Sequence, residues 1–242
     1  MIKAVIFDLD GTLIQTEVLK ARSYARAIHQ LTDLAVAEDD VLKGFKKLVG
    51  LSRAEVVMGL MNQFQKQLAA SLKKDDPDFL KHAILKERMA IYHKYIDNPD
   101  VLSDFVCPFN LGLLNKLYSD HYRIALATMS HIKEVEKVMK VLQIKEKLAL
   151  VITRDKISNG KPDPEIYLAT MKKLNLVASE CLVIEDSMNG IKAALNANLN
   201  VFAVTNDLTR ESVHAAELLP DEFIIDDLTL LKDTVYKFLS TH

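Results

Sequence analysis

The 242-residue chain carries 31 Lys and Arg against 33 Asp and Glu, a formal net charge of −2, with 49% hydrophobic and 26% charged residues. That length suits one large domain or a core with a smaller insert, the composition excludes wholesale disorder, and the balanced charge excludes a global basic field for nucleic acid while leaving room for a local phosphate site. No apolar stretch reaches membrane length, two aspartates break the first apolar run too early for a secretion signal, and Cys107 and Cys181 stand outside any CxxC motif, so a cytoplasmic protein with two buried thiols, and no membrane partner, is expected.

Along the chain, Ala4-Val5-Ile6-Phe7 is a continuous apolar run followed by an Asp-x-Asp-Gly turn, the pattern of a strand buried on both faces. From residue 16 to about residue 95 no strand pattern appears, and four helices are expected at 17–31, 39–49, 53–69 and 78–95. Ser52-Arg53-Ala54-Glu55 has the capping-box form, which predicts a helix start at Ser52. Asp75-Asp76-Pro77-Asp78 breaks the chain before the last of the four. Apolar runs then return at 124–127, 148–152, 182–184, 201–204 and 223–225, alternating with helical spacings such as Ile132, Val135, Val138, Met139 and Leu142. Strands alternating with helices predict an α/β fold with a parallel sheet covered on both faces. The strand-free block predicts a second domain, so the expected division is 1–15 with 97–242 as the α/β core and 16–96 as a helical insert.

Ligands of open α/β sheets bind beyond the carboxyl ends of the strands, and four polar groups follow four of the expected strands. Asp8-Leu9-Asp10-Gly11-Thr12 offers two carboxylates at i and i+2; alone it could equally be a plain turn, and it lacks the later ligands of a calcium loop. Thr128-Met129-Ser130 opens the next helix, either as a simple cap or as an anion site of hydroxyls and amides. Lys161 stands on a loop stiffened by Gly160, Pro162 and Pro164, with Asp163 as the expected cap; it is either a surface lysine or a point charge aimed at phosphate. Glu185-Asp186-Ser187 ends a buried apolar run, where adjacent acids are costly unless solvated or paired with a cation such as magnesium. Together these supply a nucleophile, a second acid, phosphate donors and a metal site, the inventory of phosphoryl transfer.

These residues resemble the haloacid dehalogenase-like superfamily, and the resemblance covers essentially the whole chain. Asp8–Leu13, the Thr128 segment, Gly160-Lys161-Pro162-Asp163-Pro164-Glu165 and Ile184-Glu185-Asp186-Ser187 with Gly190 match its four motifs in order. The helical insert is similar to the mobile cap domain of the phosphoglycolate phosphatase and β-phosphoglucomutase branch. The resemblance implies a Rossmann-like core with an inserted helical cap and a magnesium-dependent phosphatase acting on a small phosphorylated metabolite, as a monomer or small homo-oligomer. It further implies Asp8 as the nucleophile that becomes aspartyl phosphate and Asp10 as general acid and base. Thr128 and Lys161 would then hold the phosphoryl group, with Met129 and Ser130 beside them. Asp8, the Asp10 backbone carbonyl and Asp186 would bind magnesium, with Glu185 alongside. The chain departs from the pattern at Gln15, where the branch often has Asp; at Asn110, in place of a usual Gly; at Met129, in place of a small residue; and at Asn196-Ala197-Asn198, which lacks the usual Ala-Gly.

The runner-up is a phosphohexomutase. Gly50-Leu51-Ser52-Arg53 resembles the cap loop with which β-phosphoglucomutases grip a second phosphate, which makes Arg53 and Lys20 candidate substrate ligands. Lys20, however, stands where those mutases carry a His, and a lysine does not ordinarily titrate near neutral pH. A receiver-type signalling domain is disfavoured because the acidic pair here ends the first strand and a long helical insert follows. A silent binding protein on the same fold is disfavoured by the intact four-motif set. A nucleotide-binding oxidoreductase is disfavoured because no G-x-G-x-x-G or P-loop follows a strand.

Overall fold

The computed structural model of the chain describes residues 1–49 and 51–242. In chain order its elements are β1 (Ala4–Phe7), α1 (Thr16–Leu31), α2 (Glu38–Lys46), α3 (Arg53–Leu72), α4 (Pro77–Ile96), α5 (Pro99–Ser103), α6 (Pro108–Ser119), β2 (Arg123–Ala127), α7 (Ile132–Leu142), β3 (Leu148–Ile152), α8 (Glu165–Leu174), β4 (Cys181–Glu185), α9 (Met188–Asn196), β5 (Asn200–Val204), α10 (Arg210–Ala215), β6 (Ile224–Ile225) and α11 (Leu231–Thr241). Residues Met1–Gln15 with Leu102–His242 form one compact unit and Thr16–Val101 form a second, the division falling inside α5.

All the strands lie in one parallel sheet of order β3-β2-β1-β4-β5-β6. The central strands β1, β2, β4 and β5 are buried on both faces, which is why their runs are apolar. Alternate residues Ala4, Ile6, Ala125, Ala127, Val183, Val201 and Ala203 pack on Ile166, Tyr167 and Met171 of α8 and on Ile191 and Ala194 of α9. The opposite face carries residues such as Phe202, whose ring meets Phe238 of α11 edge-on at 5.5 Å. Small side chains on the first face let α8 and α9 approach closely, while larger ones fill the second. The parallel-sheet α/β core covered on both faces is thus the observed architecture.

The helical unit has its own core, built from Tyr24 and Ile28 of α1, Phe45 of α2, Leu60 and Phe64 of α3, and Leu80 and Ile84 of α4. The expected capping box is formed: the Ser52 N–H donates to Glu55 at 2.8 Å, and the Glu55 N–H donates to the Ser52 hydroxyl at 3.3 Å. Gly50, the first residue of the loop likened to a mutase phosphate grip, lies outside the described residues. Two helix ends differ from expectation. The second helix stops at Lys46 rather than at residue 49, because the next N–H groups turn back to carbonyls three residues before them. The third runs on to Leu72 and closes where Lys73 takes the left-handed conformation at φ 53°. No helix among the described residues is long and apolar enough to cross a membrane.

Candidate active site

Strand register brings the motifs together. Phe7 is level with Leu126 of β2 on one side and with Ile184 of β4 on the other. The residues just beyond each strand therefore meet at one sheet edge: Asp8 from β1, Thr128 from β2, and Glu185 and Asp186 from β4. Each departure is fixed by the ladder, with the Asp8 N–H donating to the Ile184 carbonyl at 3.0 Å and the Thr128 N–H to Ile152 at 3.0 Å.

Lys161 reaches this edge from the loop between β3 and α8. Its ammonium donates to Asp8 Oδ1 at 2.7 Å, to Glu185 Oε1 at 2.6 Å and to the Ala127 carbonyl at 3.1 Å. The side chains of Lys161, Asp8 and Glu185 are 5%, 8% and 1% exposed, so this is a desolvated triad in which electrostatic interactions are strong. The loop is rigid for reasons visible in the chain: the Glu165 carboxylate accepts from the Ser158 and Asn159 N–H groups at 2.8 and 2.7 Å, and Arg154 donates to the Ile157 and Ser158 carbonyls. Asp163 accepts the Glu165 N–H at 2.9 Å, but Pro164, expected as the first helical residue, stands at the cap position because α8 begins at Glu165.

The two motif carboxylates have different partners. Asp8 takes the lysine. Asp10 Oδ2 accepts from the Ser130 hydroxyl at 2.5 Å and the Thr128 hydroxyl at 3.3 Å. Of the two readings the sequence left open for Thr128 and Ser130, the simple helix cap is not what the structure shows. The helix α7 begins only at Ile132, and its first N–H is capped at 2.7 Å by Asp155, which also pairs with His131 at 2.7 Å. The hydroxyls are left to face Asp10, because a carboxylate from a neighbouring loop does the capping. Met129, between them, packs its methyl group against Gly160: a Cβ there would sit 2.5 Å from Met129 Cε.

Asp8, Glu185 and Asp186 each present a carboxylate oxygen within 4.8 Å of the others. Burial, joined by the charges of Glu185 and Asp10, pushes the Asp8 carboxyl up to about 8 against the pull of Lys161. Burial depresses the Lys161 ammonium, yet Asp8 and Glu185 outweigh that and hold it well above its ordinary range. Asp8 and Glu185 share one ammonium while Asp186 lies beside them, a shortage of positive charge that a divalent cation corrects, and an all-oxygen donor set suits a hard one. Glu185 is the least available of the acids. Its Oε2 accepts from Asp186 N, Ser187 N and Ser187 Oγ at 2.8–3.0 Å, and its Oε1 accepts from Lys161 and, at 3.4 Å, from the Tyr167 hydroxyl. It anchors Lys161 and its own turn.

Two glycines are dictated by this packing. Gly11 sits at φ 87°, and a Cβ there would fall 2.1 Å from Asp186 Oδ2. A Cβ on Gly190, in the first turn of α9, would fall 1.6 Å from Glu185 Oε1. Gly190→Ala is therefore expected to destabilise the protein by about 1–3 kcal/mol, the usual cost of overpacking. A thermal unfolding midpoint matching the unsubstituted protein would contradict that geometry.

Two of the departures, Asn110 and Gln15, make contacts around the Asp8–Leu13 loop. Asn110 donates from Nδ2 to the Thr12 carbonyl at 2.5 Å, bracing the Asp8–Leu13 loop. Gln15 donates to the Gly11 carbonyl at 3.0 Å and to Cys107 Sγ at 3.2 Å, and burial pushes that thiol up to about 11. Several participants were not singled out in the sequence. The Thr12 hydroxyl donates to Asp186 Oδ1 at 3.2 Å, Tyr167 lies under Lys161 with its ring 5.1 Å from Nζ, and Asn206 reaches Asp186 from beyond β5. Lys20 and Arg53 belong to the helical unit, where Lys20 pairs with Glu17 at 2.6 Å and Arg53 is exposed at the start of α3.

A family model for haloacid dehalogenase-like hydrolases matches residues 5–204. The chain is 28% identical over 208 residues to a phosphorylated carbohydrates phosphatase of Thermotoga maritima, covering 85% of this chain and 87% of that protein. It is 27% identical over 230 residues to a validoxylamine A 7′-phosphate phosphatase of Streptomyces hygroscopicus, covering 95% of each. Among solved structures, a β-phosphoglucomutase from Clostridium difficile superposes with a TM-score of 0.67 at 25% identity, covering 99% of this chain and 100% of that one.

Proposed function

The chain belongs to the haloacid dehalogenase-like hydrolase family, and from that premise we propose that it is a magnesium-dependent phosphatase of small phosphorylated metabolites. The observation that carries this reading is the division of labour between the two carboxylates of one loop: Asp8 is held by an ammonium and Asp10 by two hydroxyls. Asp8 attacks phosphorus and forms aspartyl phosphate while Asp10 gives its proton to the departing alkoxide. Asp10 then takes a proton from water, the water oxygen attacks phosphorus, and inorganic phosphate leaves with Asp8 restored. Lys161 offsets the charge of the transferring group, and the Thr128 and Ser130 hydroxyls orient Asp10 and the phosphoryl oxygens. Magnesium would be held by Asp8, Asp186 and the Asp10 carbonyl, with Glu185 beside it, and would supply charge neutralisation between carboxylate and phosphate.

Phosphorylated sugars are the first substrates to test, because the Thermotoga maritima relative is named for them. Hydrolysis is preferred to isomerisation because Lys20, paired with Glu17, offers no imidazole for the proton traffic of a mutase. The helical unit is assigned as the cap domain, and Lys20, Arg53 and Met129 as substrate contacts, on the strength of the family resemblance.

The test is phosphate release from sugar phosphates, phosphoglycolate, nucleotides and an aryl phosphate, with magnesium and after chelation. Release with magnesium that falls to background with chelator is expected. Activity surviving thorough metal removal would reject the acidic cluster as a metal site, and no release from any compound would reject the phosphatase reading.

A further inference from the structure

Asp186 is 1% exposed; Thr12 of the first motif donates to its Oδ1 at 3.2 Å, and its other oxygen is held from outside the four motifs. Asn206 lies two residues past the end of β5, the strand next to β4, which delivers Asp186. Its amide nitrogen donates to Asp186 Oδ2 at 3.1 Å and to the Gly11 carbonyl at 3.4 Å. Its amide oxygen accepts from the Leu208 and Thr209 N–H groups at 2.9 and 3.2 Å. Those two bonds decide which end of the amide is which: the oxygen is committed to the turn, so the NH2 must face Asp186. The Asn206 backbone N–H is also tied down, donating to Thr209 Oγ1 at 3.2 Å. The side chain is thus held at both ends and acts as a fixed, uncharged donor against a buried carboxylate.

We propose that Asn206 is a positioning residue for the metal site, its amide locking the Asp186 carboxylate and, through the Gly11 carbonyl, the loop that carries Asp10 into the arrangement that a divalent cation requires. The inference rests on the reading of Asp186 as a metal ligand. A neutral donor is well matched to this role, since it uses one lone pair of the carboxylate while leaving its charge for the cation, whereas a lysine there would compete with the metal. It also joins β5 to the loop after β1, tying the second carboxylate of the site to the first. Outer partners of metal-binding carboxylates commonly govern affinity in this way.

The experiment is calorimetric titration of magnesium chloride into the full-length protein and three variants, with the metal-free thermal midpoint of each. Asn206→Ala removes the donor and the turn acceptor together. Asn206→Ser keeps a short oxygen for the turn but does not reach Asp186, and it serves where the alanine variant does not fold. Thr209→Val weakens the same turn without touching Asp186. Both Asn206 variants are expected to bind magnesium about 10- to 100-fold more weakly, with Thr209→Val close to the unsubstituted protein. Undiminished affinity in the Asn206 variants, or an equal loss in Thr209→Val, would overturn the inference while leaving the metal reading intact. An unsubstituted protein that binds no magnesium would overturn the metal reading, and this inference with it.

Discussion

Asp8→Asn should abolish phosphate release, by roughly 10⁴-fold or more, the scale on which removing a covalent nucleophile acts. An amide has no charged oxygen to attack phosphorus, so the loss falls on the chemical step and substrate affinity should survive. The fold should survive too. Burial and the neighbouring carboxylates already push Asp8 up to about 8, so the site without metal favours the neutral form that asparagine mimics. Lys161 keeps Glu185 and the Ala127 carbonyl as partners. A thermal midpoint equal to or above that of the unsubstituted protein, with turnover gone, separates the chemistry from folding. Full activity in the variant would remove Asp8 from the mechanism.

Lys161→Ala should have the second-largest effect, on two measurements at once. Turnover should fall by about 10²- to 10³-fold, as when one preorganised electrostatic donor is deleted. Stability should fall as well, because Asp8 and Glu185 lose the ammonium held between them at 2.7 and 2.6 Å. Removing one partner from a buried ion pair costs about 3–5 kcal/mol. Magnesium replaces part of the missing positive charge, so the variant's thermal midpoint should rise more on magnesium addition than that of the unsubstituted protein. Unchanged turnover would take Lys161 out of the reaction, and unchanged stability would contradict the buried triad.

The central strands were legible because both their faces are covered, which leaves no polar alternation to confuse the pattern: Ala4–Phe7 and the run within Cys181–Glu185 are apolar throughout except at the end that faces the site. Asp8, Asp10, Thr128, Lys161 and Asp186 were legible because each breaks such a run or stiffens a loop. The start of α7 was not, since the cap comes from Asp155, 23 residues away from Ile132 and in no local motif. Nor were the further contacts of Glu185, expected beside the metal, whose oxygens also meet Lys161, Tyr167 and its own turn. Asn206 was hidden for a similar reason. In sequence it reads as an ordinary turn residue, and only the pairing of β5 with β4 places it against Asp186.

The central position of β1 has a consequence for how such a chain comes into being. Asp8, the proposed nucleophile at the end of β1, lies 153 residues before its lysine, and the Asp186 bonded to Thr12 lies 174 residues beyond that threonine. Joining segments so distant is slow, because loop closure precedes any reward from contact. The proposed nucleophile therefore stays without these partners until the fourth strand is made and seated beside the first. On the proposed mechanism the chemistry waits for β4 to join β1, and a chain stopped short of Asp186 carries the first motif without the means to use it.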